Sequence, residues 1–200
     1  MQAISRVASN LCCGLSIPGG HNHTPRTTSD TLVNLNKRYN RMSENQQPNI
    51  CYTLAMHAGV AGNTLSKEAE AEVAKSENLN YSPRYQQLMG INATNHSRHF
   101  DANAITESGV LNFRDNGTER LSHTAYLHRD PSGALTLMHN NGMSLDQALM
   151  ARGMPIGEQH GGMMVYHLDQ DRLQNLQGYL DNGRTFHFSP ASLINEQART

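Results

Sequence analysis

The sequence predicts a single α+β domain in which helices come first and antiparallel strands follow. In the first half of the chain, apolar residues recur at the three- and four-residue spacing of helices. After a turn signal at residues 114–117 the pattern changes to alternation, which is typical of half-buried strands. A chain of 200 residues is long enough to bury a core of its own. We therefore expect N-terminal helices packed on a C-terminal antiparallel sheet.

The first 28 residues differ in composition from the rest of the chain. They are rich in Ser, Thr and Asn, contain Gly19-Gly20 and two prolines, and show no helical or strand period. The sequence therefore predicts a flexible leader over residues 1–28 and a single catalytic-type domain over residues 29–200. The leader lacks the basic start and apolar centre of a secretory signal peptide.

In its composition, this leader resembles the export signals of bacterial type III effectors. The resemblance implies secretion by a bacterial system that needs no Sec signal, followed by action inside a host cell. It also implies that a secretion chaperone binds the leader. Without such export, we expect the protein to be cytoplasmic.

Charge and cysteine content argue against several classes of function. The chain has 16 basic and 17 acidic residues and a formal net charge of -1, so neither nucleic acid nor an anionic membrane is an expected partner. No window of 18 apolar residues could form an integral membrane segment. The three cysteines include no CxxC pair, and no HExxH or other zinc-ligand spacing occurs. We expect no metal and no cofactor.

Four helices are predicted before the strands begin. Residues 29–30 offer an N-cap for the first helix, and Cys51 stands at the start of the second. Ser66 caps a third helix over residues 67–76, whose early acidic residues favour the helix dipole. A short fourth helix follows Pro83.

The second half of the chain is predicted to contain a hairpin and a strand–helix–strand unit. Residues 121–128 alternate in polarity, residues 130–133 form a turn signal, and residues 134–138 run back as the second strand. A helix capped by Ser144 follows. The final elements are expected to be a strand, a helix and a strand, over residues 163–168, 169–180 and 184–188.

The functional prediction rests on Cys51. It follows a polar loop, residues 46–49, and stands at the expected first turn of a helix. Unpaired N–H groups and the helix dipole stabilise a thiolate there and lower its pKa from about 8.5. A thiolate becomes a catalyst when a base lies beside it and hydrogen-bond donors face the reacting carbonyl. His123, on the first hairpin strand, is the candidate base.

The run Cys51-Tyr52-Thr53-Leu54-Ala55 resembles the nucleophile helix of papain-like cysteine proteases, in which Trp or Tyr commonly follows the cysteine. The hairpin that carries His123, followed by residues 139–142, resembles the His and Asp strands of papain-like proteases and deamidases among bacterial type III effectors. The resemblance covers residues 46–142 and implies a papain-like fold.

The resemblance also implies a role for each matching residue. Cys51 would be the nucleophile and His123 the base. Asn140 would orient the imidazole in place of the family's Asp, or His139 would do so if the register shifts by one residue. The oxyanion donor would be one of two glutamines that lie closer to the cysteine than is usual in the family, Gln46 or Gln47.

Two functions are compatible with these features. In the first, the protein is a thiol-dependent hydrolase that cuts a host protein or deamidates one of its glutamines, and the same residues could also transfer an acyl group. In the second, it is a non-catalytic effector or adaptor that binds a host protein. The low charge and the Met- and Gly-rich segment at residues 150–164 favour this alternative.

Overall fold

The structure is a computed structural model that describes residues 23–43, 47, 50–75, 82–115, 118, 120–140, 142–150 and 153–200. Most of the predicted leader, residues 1–22, lies outside these ranges. Within them, seven α-helices and a six-stranded antiparallel sheet form a mixed α+β fold, which confirms the predicted class. None of the helices so described has the length and apolar character that crossing a bilayer requires.

The order of elements along the chain alternates between groups of helices and strands. The helices are α1 (Thr28–Asn40), α2 (Cys51–Ala61), α3 (Lys67–Ala74), α4 (Pro83–Leu88), α5 (Met143–Leu149), α6 (Gln170–Asp181) and α7 (Ala191–Gln197). The strands are β1 (Gly109–Arg114), β2 (Leu121–Arg129), β3 (Leu135–His139), β4 (Glu158–His160), β5 (Met163–His167) and β6 (Thr185–Pro190). All neighbours pair antiparallel in the order β4-β5-β3-β2-β1-β6.

Local signals account for most helix starts. The Ser66 hydroxyl accepts a hydrogen bond from a first-turn N–H of α3, as predicted. Helix α1 begins earlier than predicted, because Thr27 and not residues 29–30 occupies its N-cap. In α5 the cap position belongs to Gly142, and the predicted cap Ser144 lies inside the first turn.

Three elements were not predicted, namely β1, β4 and α7. Strand β1 is buried along both faces except at its last residue, so it lacks the alternating pattern by which a half-buried strand is found. Strand β4 has only three residues within the Met- and Gly-rich segment. Helix α7 follows β6 directly, with Pro190 as its N-cap.

The sheet separates two layers of helices. Helices α1, α2, α3, α4 and α7 cover one face, and their apolar residues form clusters with Val110, Tyr126, Met138 and Val165. Helices α5 and α6 cover the other face and pack on Leu111, Phe113, Ala125, Leu127 and Leu137. We call these the α2 face and the α6 face.

A β-bulge in β2 decides which of its residues point to which face. Phe113 of β1 pairs with His123, but the next residue of β1 pairs with Leu121, so Ser122 is the extra residue. Beyond the bulge, successive side chains alternate between the two faces of the sheet. Thr124 consequently lies on the α2 face, whereas His123 lies on the α6 face.

Close packing between β1 and β6 yields a test of the sheet edge. A Cβ added at Gly109 would lie 2.3 Å from the Ser189 carbonyl oxygen and 2.6 Å from the Phe188 ring. Gly109→Ala should therefore force the strands apart and lower the free energy of unfolding by about 1–3 kcal/mol. Urea denaturation monitored by circular dichroism measures this change.

Gly178→Ala is the matched control, because a Cβ there meets no atom within 4 Å on an exposed face of α6. Alanine is the better helix former, so this variant should gain about 0.5–1 kcal/mol. Equal stability of the two variants would contradict the packing assigned to Gly109.

Candidate functional site

Cys51 is the first residue of α2, as predicted, but its surroundings do not activate the thiol. The half-buried sulfur makes hydrogen bonds with the backbone and side chain of Thr124. Burial raises the pKa of the Cys51 thiol, and it outweighs the hydrogen bonds with Thr124 and with the backbone of Tyr52 and Cys51, which lower the pKa. The helix start therefore holds a protonated thiol at neutral pH.

His123 lies on the opposite face of the sheet from Cys51. Its ring stacks on Phe113 at a centroid distance of 6.2 Å, and Phe113 belongs to the core beneath α6. Thr124, the partner of Cys51, instead donates a hydrogen bond to Asn112, which also accepts one from Tyr85 of α4. The backbone of β2 thus separates the thiol from the imidazole, and the predicted Cys51–His123 pair is not formed.

The remaining predicted site residues are the oxyanion donor, Gln46 or Gln47, and the residue that orients His123, Asn140 or His139. Gln46 lies outside the described residues. Gln47 uses its side-chain amide to donate to the Tyr39 carbonyl of α1, at 3.4 Å. Asn140 is buried directly after β3. Of the two residues proposed to orient His123, the one that contacts it is His139, on the same face of the sheet.

The structure joins His123 to a buried chain of polar side chains. His123 Nε2 lies 3.2 Å from His139 Nδ1, with the two rings edge to face. On the far side of that ring, His139 Nε2 lies 3.3 Å from Asp146 Oδ1 of α5, a close polar contact rather than an aligned hydrogen bond. Tyr166 of β5 donates to the same oxygen at 2.6 Å and stacks on His139. We call Asp146, His139 and His123 the Asp–His–His chain.

The carboxylate of Asp146 determines the tautomers along this chain. It favours a proton on His139 Nε2, which leaves the lone pair of His139 on Nδ1. That lone pair then accepts from His123 Nε2–H, so the remaining lone pair of His123 is on Nδ1. The chain resembles the orienting half of an Asp–His catalytic pair, lengthened by one imidazole.

Gly142 makes room for the two imidazoles. A Cβ at this position would lie 2.7 Å from His123 Nε2 and 2.7 Å from His139 Nδ1. Its φ of -99° is open to any residue, so the requirement is for space and not for backbone freedom. Any side chain here would lie between the rings and open the contact that joins them.

Burial keeps both imidazoles neutral. It lowers the pKa of His123 to about 3, with a smaller contribution from nearby His139, while Asp146 opposes the shift. Burial likewise lowers the pKa of His139 to about 4. Desolvation and hydrogen bonding to Asp146 raise the pKa of the Tyr166 hydroxyl well above its ordinary value, so this group is a permanent donor.

The Asp–His–His chain reaches the surface at a cavity of about 360 Å³. His123 forms part of its wall beside Ser122, the bulge residue. The start of α5 supplies the opposite wall through Met143, Ser144 and Gln147. The cavity thus combines a neutral imidazole, hydroxyl and amide groups, the carboxylate of Asp115, the ring of Tyr179 and the apolar side chain of Met143. No three His, Cys, Asp or Glu side chains of the described residues converge as metal ligands would.

Sequence reasoning missed Asp146, Gln147 and Tyr166 as members of this site. Asp146 and Gln147 lie in α5, and Tyr166 lies in β5. No motif links them, because pairing of β3 with β5 and packing of α5 on the sheet bring them to His139.

Residues 28–198 match the model of a family described as a domain of unknown function (DUF8038). The match extends over most of the chain, from the start of α1 to the end of α7, and the chain belongs to this family. No curated protein and no solved structure matches the chain.

The environment of Cys51 predicts a slow thiol. In a Cys12→Ser/Cys13→Ser background, Cys51 should react with iodoacetamide more slowly than free cysteine at pH 7.5. The apparent pKa of the reaction should lie above the ordinary value of about 8.5, because burial disfavours the thiolate. Stopped-flow alkylation across pH 6–10 measures this profile.

The same protein unfolded in urea is the control, and its alkylation should return to the profile of free cysteine. An ordinary thiol is under about 1% ionised at pH 6. Fast alkylation of the folded protein at that pH would show that Cys51 is an activated nucleophile after all.

The neutral imidazoles predict a loss of stability in acid. The folded-state pKa values of His123 and His139 lie below the ordinary value of about 6.5, so the unfolded chain binds more protons between pH 6.5 and about 3. The free energy of unfolding should therefore fall as the pH is lowered through this window. Nitrogen NMR at pH 5 should still show both rings neutral.

A His123→Gln/His139→Gln variant serves as the comparison and should lose free energy less steeply from pH 7 to pH 4. If the wild type and this variant show the same slope, the two rings are not the groups that bind the protons.

Proposed function

We propose that the protein is a hydrolase whose acid–base group is His123, oriented by His139 and Asp146. The observation that carries the proposal is the Asp–His–His chain, which runs from a carboxylate through two imidazoles to the wall of a cavity. Titratable groups that follow one another in this way, from a carboxylate through two buried imidazoles to a cavity wall, are typical of sites that move protons.

The proposed reaction is hydrolysis of an acyl bond, either an ester or an amide. A water oxygen forms a bond to the acyl carbon, and its proton passes to the lone pair on His123 Nδ1. When the tetrahedral intermediate collapses, the bond to the leaving group breaks and the imidazolium gives that proton to the leaving atom. The charge of Asp146, transmitted through His139, stabilises the imidazolium while it exists.

Gln147 is the proposed donor to the oxyanion, in the role that the sequence assigned to Gln46 or Gln47. Gln147 is exposed and lines the same cavity as Ser144 and His123. An amide N–H that is already in place where negative charge develops stabilises the transition state without further reorganisation.

The papain-like form of the proposal, with Cys51 as nucleophile, is not carried forward, because β2 separates the thiol from His123. The proposed function is still that of a hydrolase, but the attacking group is a water molecule activated by His123 instead of the Cys51 thiol. A host protein as the substrate and export through the leader stay predictions from the sequence.

Hydrolysis of a p-nitrophenyl ester by the full chain tests the proposal. His123→Gln should lower kcat/KM about 100-fold or more, the usual contribution of a positioned acid–base group. Gly142→Ala should cause a similar loss, because its Cβ would open the contact between the rings.

Since the pKa of His123 is about 3, the wild-type rate should stay level between pH 5 and 7.

His99→Gln and Cys51→Ser are the matched controls for these variants. His99 is an exposed histidine far from the Asp–His–His chain in sequence, and Cys51 lies on the other face of the sheet. Both should retain wild-type rates. An equal loss of activity in His99→Gln would show that histidines hydrolyse the ester unspecifically. A loss of activity in Cys51→Ser alone would show that the thiol is the reacting group.

The second candidate function is that of an adaptor without catalysis. Exposed apolar side chains favour it, since Met143 at the cavity rim is 75% exposed and Ile156 is 76% exposed. For an adaptor, ester hydrolysis would be unaffected by His123→Gln, whereas Met143→Ser and Ile156→Ser would both weaken binding of one and the same host protein.

A further inference from the structure

A cavity of about 660 Å³ lies outside the candidate site, on the far side of α2. It lies where the C-terminal end of α2, the start of α3 and one side of α1 meet. Four cationic side chains line it, namely Arg26, Arg38, Lys67 and Arg199. Among the described residues, Glu68 is the one carboxylate in its wall. This concentration of positive charge occurs in a chain whose net charge is -1.

Two of the four cations are fixed by the fold. Arg26 donates through Nη1 to the Ala61 carbonyl at 2.7 Å, and its own backbone is held by Gly62 and His128. The carbonyl of Ala61 is neutral, so this contact orients the guanidinium without cancelling its charge. Less rotational freedom is then lost when an anion binds.

Arg38 is held by a partly buried ion pair. Its Nη2 donates to both carboxylate oxygens of Glu70, at 2.9 and 2.8 Å, and Glu70 also contacts Nδ1 of the buried His57 at 3.0 Å. Arg38 Nε is buried and has no hydrogen-bond partner among the described residues. The ion pair with Glu70 therefore positions the guanidinium of Arg38 at the cavity wall.

The other two cations are exposed and come from separate parts of the chain. Lys67 is the first residue of α3, and Arg199 follows α7 near the C-terminus. Long exposed side chains of this kind can close over a bound group. Polar side chains in the same wall, those of Asn34, Asn63 and Ser66, add hydrogen-bonding groups between the charges.

We propose that this cavity binds a small molecule that carries a diphosphate group. With Glu68 and Glu70, the ion-pair partner of Arg38, included, the four cations leave two more positive than negative charges, and a diphosphate at neutral pH carries enough negative charge to balance them. The apolar part of the wall, Val60 and Leu65, suits an organic body attached to the phosphates, and the volume is that of a typical small-molecule site. A concave site of this shape does not fit the extended basic surface that a nucleic acid needs.

Isothermal titration of the full chain with inorganic phosphate, pyrophosphate and adenosine diphosphate tests the proposal. Pyrophosphate should bind at least tenfold more tightly than phosphate, and adenosine diphosphate at least as tightly as pyrophosphate. Raising the salt concentration from 0.05 to 0.5 M should weaken all three, because the site is electrostatic. Absence of saturable binding of both diphosphates would overturn the proposal, and pyrophosphate binding alone would restrict the ligand to the inorganic anion.

Two double variants of equal net charge separate the cavity from general charge effects. Lys67→Gln/Arg199→Gln should weaken pyrophosphate binding about tenfold or more. Lys37→Gln/Lys75→Gln removes two exposed cations outside the cavity and should change binding less than about twofold. If both double variants weaken pyrophosphate binding equally, the anion is attracted by the overall charge of the protein and not by this cavity. All four substitutions are at exposed positions, and melting curves confirm that each protein is folded.

Discussion

The direction in which each side chain of β2 points is the constraint on which the candidate site depends. Side chains of a strand alternate between faces, and the bulge at Ser122 sets the phase of that alternation. It directs Thr124 to α2 and Cys51, and it directs His123 to α5, α6 and His139. A nucleophile carried on a helix reaches one face of a sheet only, so this phase excludes a Cys51–His123 pair.

The same alternation of side chains places His123 beside His139 and Asp146, and burying these polar groups costs free energy. Two imidazoles and a carboxylate lie beneath α5 and α6, and the pKa values of both rings fall because the surroundings disfavour charge. Tyr166 compensates in part by donating to Asp146, and Gly142 leaves the space that the rings need. Apolar residues of similar size would fill this region at lower cost, and for that reason we assign the polar chain a role in function and not in stability.

Elements with strong local signals were predictable from the sequence, and features set by tertiary contacts were not. The hairpin of β2 and β3, the start of α2 and the Ser66 cap follow from alternation, a turn signal and a capping residue. Strand β1 was missed because it is buried on both faces. The contact of His139 with His123 was open to prediction, since a turn at residues 130–133 makes them diagonal neighbours on one face of the hairpin. The position of Cys51 relative to His123 could not be predicted, because it depends on which face of the sheet α2 covers.

Helix α2 contacts both the sheet, at its first residue, and the basic cavity, at its last turn. Its first residue, Cys51, packs on Thr124, and its last turn supplies the carbonyl that holds Arg26 at the basic cavity. The sheet lies between that cavity and His123, so a ligand bound among the cations makes no contact with the Asp–His–His chain. Two contacts connect this side of the molecule with β2: Cys51 packs on Thr124, and the Arg26 carbonyl lies 2.9 Å from His128 Nε2. The thiol marked by the sequence is thus better explained as a packing contact between helix and strand than as the reacting group.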